Sequence, residues 1–250
     1  MDYFTFGTGA KPFVMLPGLS VKSIMNSADG IASAYEMFAK DFTVFCFDRT
    51  KFLSENYTIE MLAEDTAEAM KLLSIKNACV FGASQGGMMA QYIAINHPEL
   101  VGKLLLASTA SRLNDTAVKV MTNWVKNAAE NDVNAFCDCF IDVLYSKAYA
   151  EKFGEFIKLA HRDVTEEDFR RFVILGMSCS TLNTYDRLER IQCPTLVIGA
   201  EDDRVLGSQA SVEIAEKLGC ELYMYGEGFG HCVFDEAPDY KQRIMNFFLK

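Results

Sequence analysis

Gly82-Ala83-Ser84-Gln85-Gly86 is the stretch that decides how this 250-residue chain folds. It follows a short apolar run, Ala78–Phe81, and precedes a stretch of helical periodicity that ends before Pro98. A serine at such a strand-to-helix turn needs small neighbours two residues away on either side, and both are glycine. The turn lifts the Ser84 hydroxyl toward a helix N-terminus, where free amides favour negative charge. The pattern indicates a nucleophilic serine; the alternative is an ordinary capping serine.

Beyond this turn, apolar runs alternate with segments of helical periodicity, as in a mostly parallel sheet covered by helices on both faces. The predicted strands are Phe13–Leu16, Phe42–Phe47, Ala78–Phe81, Lys103–Ala107, Pro194–Ile198 and Glu221–Tyr225. Helices are predicted over residues 59–73 with Thr58 as N-cap, after Ser84 as far as Asn96, and over residues 238–249. The sequence therefore predicts an α/β protein.

Residues 111–188 break the alternation. They contain no convincing strand, and their Phe, Tyr, Met and charged residues recur at helical spacing, which predicts three or four helices. We divide the chain into a core, residues 1–110 and 189–250, and a helical cap, residues 111–188, called the insertion below. No Gly/Ser linker flanks the insertion, so it should pack on the core. Its apolar residues either line an acyl pocket or form packing core between helices: Phe136, Phe140, Phe169, Phe172 and Met177.

A nucleophilic serine needs a base, and the chain contains three histidines. His97 stands at a predicted helix end, and His161 lies within the insertion. His231 follows the last predicted strand in a Gly-Phe-Gly-His loop. Since catalytic residues of α/β proteins gather on loops at the carboxyl ends of strands, His231 is the best placed of the three.

The acid that orients the base should lie between Ser84 and His231 in the chain. Asp202 and Asp203 follow the strand Pro194–Ile198, where a carboxylate would lie at the carboxyl edge of the sheet. We choose Asp203, with Asp202 as the alternative. The resulting order is serine, acid, histidine.

These features resemble the α/β-hydrolase superfamily over about residues 10–110 and 190–250. The similarity rests on Gly82–Gly87, on the segment from Pro194 to Asp203, and on Gly230-His231. It implies an α/β-hydrolase fold with a small cap and is strongest toward capped esterases and enol-lactonases. The family's strand-to-acid spacing also favours Asp203 over Asp202.

The resemblance further implies an oxyanion hole made by two backbone amides. The Gln85 amide follows the serine, and Leu16-Pro17-Gly18-Leu19 takes the place of the family's His-Gly turn, so the Leu19 amide would be the second donor. Two departures stand out. Pro17 replaces the family histidine, and Asp48–Lys51 lacks the usual Arg-Gly-x-Gly run.

The predicted function is hydrolysis of a carboxylic ester or lactone of a small, largely apolar molecule through a Ser84–His231–Asp203 triad and an acyl-enzyme. No cofactor is needed. Cleavage of a carbon–carbon bond or acyl transfer would use the same residues, and a ligand sensor without turnover is a third alternative.

Composition limits the partners. A formal charge of −10 disfavours nucleic acid and anionic membranes, and no apolar run is long enough to cross a bilayer. With no recognisable secretion signal, we expect a cytoplasmic protein with eight reduced cysteines; Cys46, Cys79 and Cys193 should be buried hydrophobes. No metal site is predicted, because no histidines pair at ligand spacing and Cys137 and Cys139 would face apart on a helix.

Overall fold

The computed structural model describes residues 1–250 and contains one seven-stranded sheet. The strands are β1 (Tyr3–Phe6), β2 (Lys11–Leu16), β3 (Phe42–Phe47), β4 (Ala78–Ala83), β5 (Val101–Ala107), β6 (Thr195–Ala200) and β7 (Glu221–Tyr225). Their order across the sheet is β1-β3-β2-β4-β5-β6-β7, and only the β1–β3 pair is antiparallel. The mostly parallel sheet predicted from the sequence is confirmed.

The direction in which strands are added reverses between β2 and β4. After β2 the chain adds β3 on one side, whereas β4, β5, β6 and β7 follow in turn on the other. In open α/β sheets, ligands bind at the carboxyl ends of the strands where this reversal occurs. The segments that follow β2 and β4, residues 17–19 and Ser84, therefore lie where a site is expected.

The helices cover both faces of the sheet. They are α1 (Ala28–Ala34), α2 (Ile59–Leu72), α3 (Gln85–Asn96), α4 (Asp115–Ala129), α5 (Val133–Leu144), α6 (Lys147–His161), α7 (Glu166–Ser178), α8 (Ser208–Leu218), α9 (Val233–Glu236) and α10 (Tyr240–Leu249). The start of α2 is as predicted, because Thr58 Oγ1 accepts a hydrogen bond from the Met61 amide. None of these helices combines the length and the apolar character that crossing a bilayer requires.

Two buried clusters lie on opposite faces of the sheet. Side chains alternate along β2, so Phe13 and Met15 join one cluster while Val14 and Leu16 join the other. The clusters contain 24 and 46 buried residues, and the larger one also includes buried residues of the insertion. The insertion therefore packs onto the sheet's covering helices, as predicted.

The insertion contains four α-helices, α4 to α7, and no regular strand. Each helix begins at a side chain that accepts a hydrogen bond from the backbone amide three residues later; these N-caps are Asn114, Asp132, Ser146 and Thr165. Phe136 packs edge-on against Phe169 and Phe172, and all three are buried. Met177 is exposed. The aromatic residues here serve as packing core, while the division into core and cap stays a prediction.

Some features were missed or misjudged from the sequence. The four-residue edge strand β1 alternates between exposed and half-buried residues and carries little hydrophobic signal. The helices α1 and α8 were also not predicted. Cys46 and Cys79 are buried within strands, but Cys193 is only half-buried because it precedes β6 rather than lying in it. All eight cysteines are unpaired thiols.

Candidate active site

Ser84 occupies the sharp turn between β4 and α3. Its backbone has φ 51° and ψ −120°, a region that non-glycine residues rarely adopt. A Cβ placed on Gly82 would lie 2.5 Å from the Gly86 oxygen, and one placed on Gly86 would lie 1.9 Å from the Leu16 oxygen. Both glycines are therefore required by the turn, and the strain falls on the serine alone.

The Ser84 side chain does not serve as a helix cap. It is the N-cap residue of α3, yet its hydroxyl accepts no hydrogen bond from the first helical turn. Its carbonyl oxygen accepts the hydroxyl of Thr109 at 2.7 Å and the amides of Gly87 and Met88, which fixes the backbone. The interpretation as an ordinary capping serine is thus wrong, and a partly exposed hydroxyl is left free at a helix N-terminus.

His231 and Asp203 form a buried pair on the loops that follow β7 and β6. His231 Nδ1 and Asp203 Oδ2 are 2.8 Å apart, and the two residues are 2% and 7% exposed. Asp203 Oδ1 accepts hydrogen bonds from the amides of Val205 and Leu206, each at 2.9 Å. Asp202 does not reach His231; its Oδ2 accepts the Gly228 amide at 2.7 Å. Of the two aspartates, the structure brings only Asp203 to the histidine.

The hydrogen bonds of Asp203 set its charge. Burial by itself raises the pKa of this carboxyl, but the neighbouring His231 and the amides of Leu206 and Val205 outweigh it, so the net pKa lies below the usual range. An ionised Asp203 accepts a hydrogen bond from the N–H at His231 Nδ1, which fixes the tautomer and leaves Nε2 free to accept a proton. The pair is therefore arranged as a base and its orienting acid.

Ser84 and His231 lie at the same carboxyl edge of the sheet but are not hydrogen-bonded to each other. Ser84 Oγ donates to no residue, and His231 bonds only through Nδ1. Catalytic hydrogen bonds are often loose before substrate binds. The structure thus brings two of the three predicted triad residues into contact and places the third after β4, on the same sheet edge.

The turn after β2 approaches the serine closely. A Cβ placed on Gly18 would lie 3.3 Å from Ser84 Cβ, so only glycine fits here without displacement. The Leu19 amide donates to no acceptor in the chain. The Gln85 amide stands at the first position of α3, where helices leave their N–H groups unpaired. Neither amide predicted as an oxyanion donor is hydrogen-bonded within the chain; Gln85 directly follows Ser84, and Leu19 directly follows Gly18 at the point of close approach.

Arg49 holds this turn in place, and sequence reasoning missed its role. The side chain, 4% exposed, donates from Nη2 to the Pro17 oxygen at 2.5 Å and from Nε to Gln85 Oε1 at 3.0 Å. Burial lowers the pKa of its guanidinium to about 10, so it remains protonated at neutral pH. The turn without the family histidine is therefore anchored by an arginine from the end of β3. The available signal was an arginine two residues after the end of a buried strand.

Two further contacts join this region to the insertion. Gln85 Nε2 donates to the Leu175 oxygen of α7 at 2.8 Å. Asp48 Oδ1 accepts Arg171 Nη2, also from α7, at 2.7 Å. The sharp turn at Ser84 between β4 and α3 (the elbow), the turn after β2, and α7 consequently form one hydrogen-bonded unit.

The remaining candidates lie elsewhere. His97 Nε2 contacts Glu64 Oε2 at 2.7 Å, and His161 Nδ1 contacts the Ile157 oxygen at 2.8 Å within α6. Cys232, next to His231, is buried, and burial raises the pKa of its thiol well above the usual value, so it stays neutral. The structure contains no group of three or more side chains suited to hold a metal ion.

Comparison with known proteins agrees with this architecture. Residues 11–238 match the α/β hydrolase fold family. A protein of Rhizobium rhizogenes named "Putative carbamate hydrolase RutD" is 24% identical over 95% of this chain and 92% of its own length. The 3-oxoadipate enol-lactonase 2 of Acinetobacter baylyi is 21% identical over 82% of this chain and 76% of its own. The enol-lactonase of Burkholderia xenovorans superposes with a TM-score of 0.84 at 20% identity, covering 100% of this chain and 96% of that one. Because the family match spans the elbow, both aspartates and His231, the chain belongs to the α/β-hydrolase fold family.

Proposed function

We propose that this protein is a serine hydrolase that cleaves a carboxylic ester or lactone of a small, largely apolar molecule. The observation that carries the proposal is the buried 2.8 Å pair of His231 and Asp203 at the same sheet edge as the strained Ser84. A nucleophile, a base and an orienting acid, each following a different strand, are the parts that acyl transfer needs.

The first half of the reaction forms an acyl-enzyme. His231 Nε2 takes the Ser84 hydroxyl proton while Oγ attacks the carbonyl carbon, and the carbonyl electron pair moves to oxygen. The Leu19 and Gln85 amides donate to this oxyanion, and the N-terminus of α3 adds a favourable potential. Asp203 stabilises the imidazolium. The tetrahedral intermediate then collapses, and the alkoxide leaves with the proton from His231.

The second half regenerates the enzyme by the same route. Water loses a proton to His231 Nε2 and attacks the acyl carbon; the acid is released when Ser84 Oγ recovers its proton. For a lactone, the leaving alkoxide stays attached to the acyl group, and the product is a hydroxy acid or, from an enol-lactone, an oxo acid. No step requires a cofactor, and the proposed partner is the small-molecule substrate.

Two relatives support the choice of substrate class, since both are named enol-lactonases. Their identities of 21% and 20% leave the identity of the acyl group to experiment. We further propose that residues 111–188 act as the cap, because α7 contacts Gln85 directly beside the proposed nucleophile.

The test is intact mass after treatment with a fluorophosphonate. Wild type should gain one adduct, and Ser84→Ala should gain none, because only a serine activated by a base reacts readily. Ser108→Ala is the control: like Ser84, Ser108 has a positive φ (41°) and follows a central strand, β5, but it is buried and its hydroxyl bonds to no histidine. An adduct retained in Ser84→Ala would contradict the assignment. No adduct on folded wild type would favour the ligand-sensor alternative.

A further inference from the structure

A groove runs between α1 and the carboxyl ends of the central strands, on the face of the sheet opposite to the insertion. Its volume is about 280 Å³. The floor consists of Met15, Cys46 and Phe81 from β2, β3 and β4. Phe234 of α9 forms a side wall. The groove lies at the reversal point of strand order, where ligands of α/β proteins bind.

The groove exists because α1 does not pack tightly on the sheet. One face of α1 lines the groove together with the N-cap residue Ser27. The residues of this face recur at helical spacing: Gly30, Ile31 and Ala34. Three of the four are small, and no residue of α1 is fully buried. A helix that covers a sheet normally buries its inward face, so the space is a feature of this sequence.

One end of the groove lies next to the proposed nucleophile, at residues adjacent to Ser84 and Leu19. Its lining includes Gly18, which precedes the Leu19 oxyanion donor, and Ala83, which precedes Ser84. On the other face of the sheet, Phe136 of the insertion packs against Phe169 and Phe172, so these three rings serve as packing core.

We propose that this groove binds the acyl arm of the substrate and that the arm is an uncharged alkyl chain. The proposal rests on the hydrolase function proposed above. The walls near Ser84 are apolar, and the only charged lining residues, Asp235 and Lys241, are of opposite sign and leave no net charge for an ionised tail. The groove has about the volume of nine water molecules, at roughly 30 Å³ each. This space can hold an alkyl chain of roughly six to eight carbons.

The groove can be filled by mutation without disturbing the core. A Cβ placed on Gly30 meets no atom within 4 Å, so Gly30→Trp should be accommodated and should occupy the groove. Ser33→Trp is the matched control, because Ser33 is on the same helix, is exposed and does not line the groove. Circular dichroism and thermal melting of both variants would establish that they are folded.

The kinetic experiment compares p-nitrophenyl esters from acetate to octanoate. In wild type, kcat/KM should rise about three- to fourfold per methylene as the chain fills the groove. In Gly30→Trp the octanoate-to-acetate ratio should fall at least tenfold, whereas Ser33→Trp should keep the wild-type ratio. An unchanged octanoate-to-acetate ratio in Gly30→Trp would overturn the proposal. It would also be overturned if kcat/KM of Gly30→Trp for alkyl acetates fell as the alcohol chain became longer, because the groove would then bind the alcohol.

A binding experiment separates this inference from the proposed function. Calorimetry would measure methyl octanoate binding to Ser84→Ala and to Ser84→Ala/Gly30→Trp, neither of which needs turnover. Weaker binding by at least tenfold in the double variant supports the groove, and equal binding overturns it. If wild type hydrolyses no ester, the hydrolase function fails, and the calorimetric comparison alone still decides whether the groove binds an alkyl chain.

Discussion

The two halves of the candidate site are built in different ways. One half consists of three residues on the segments that follow strands of the sheet: Ser84 after β4, Asp203 after β6 and His231 after β7. The pairing of these strands therefore sets where the three residues lie. The turn of residues 17–19 is instead fixed by side-chain hydrogen bonds, chiefly from the buried Arg49. The first half follows its family's sequence pattern, and the second departs from it.

The difference shows which parts of such a site tolerate substitution. A strand end supplies position through many backbone hydrogen bonds, so the loops that carry Ser84, Asp203 and His231 need few special residues around them. A turn without regular structure depends on whichever donor reaches its carbonyl oxygens. Pro17 offers no side-chain donor of its own, and the guanidinium of Arg49, at the end of the adjacent strand β3, supplies the anchor. Mutations in the two halves should therefore differ in size and in kinetic signature.

The largest effect should come from the nucleophile. Ser84→Ala should lower kcat for ester hydrolysis on the order of 10⁵- to 10⁶-fold, because it removes the atom that forms the acyl-enzyme. Steady-state assays with p-nitrophenyl butyrate would measure it, with Ser108→Ala as control. Near wild-type turnover in a clean preparation of Ser84→Ala would remove the basis of the proposed function.

The two adjacent aspartates should differ sharply. Asp203→Asn should lower kcat on the order of 10⁴-fold, because an amide no longer holds the His231 tautomer or stabilises the imidazolium. Asp202→Asn should stay within about fivefold, since Asp202 does not contact His231 and its hydrogen bond to the Gly228 amide is worth only about 1 kcal/mol. The same ester assay compares them. Loss of activity in Asp202→Asn with retention in Asp203→Asn would reverse the assignment.

The anchor of the turn should have a smaller, distinct effect. Arg49→Met should lower kcat roughly ten- to hundredfold with little change in KM, because a displaced Leu19 amide stabilises the transition state less than it did. Arg49→Lys should recover part of the loss through one remaining hydrogen bond. Arg171→Met, which loses a contact to Asp48 but leaves Arg49 in place, is the control. A rise in KM alone would show that Arg49 acts on substrate binding instead.

The smallest effect concerns stability in acid. Because the folded-state pKa of Asp203 is lowered, this group stabilises the protein above its unfolded pKa of about 3.9, and the contribution is lost as pH falls through the folded pKa. The free energy of unfolding should therefore decline more steeply below about pH 4 in wild type than in Asp203→Asn. Urea titrations at several pH values would measure this, and Asp202→Asn should keep the wild-type slope. If the unfolding free energy fell equally steeply with pH in all three proteins, Asp203 would not be the group that causes the loss of stability in acid.

Much of this architecture was readable from periodicity and turn chemistry. The strands β2 to β7 and the elbow at Ser84 carry strong local signals, because buried strands are continuous apolar runs and the turn requires glycine. Proximity of Asp203 to His231 followed from the rule that parallel strands end at one edge. Arg49 could not be assigned, because its bonds to Pro17 and Gln85 join residues separated by more than thirty positions in the chain. The groove under α1 depends on how far one helix stands from the sheet, which no periodicity encodes.

The single buried cluster shared by the insertion and the sheet's covering helices limits how this chain can be recombined with its relatives. Trp124 and Phe172 of the insertion belong to the same cluster as Leu62 of α2 and Met88 of α3. A unit with its own core could be exchanged as a cassette at its two crossover points. Here a chimera joined at residues 111 and 188 would mismatch the shared cluster. A chimera that folds must therefore take the residues of α2 and α3 that face the insertion from the same relative as the insertion itself.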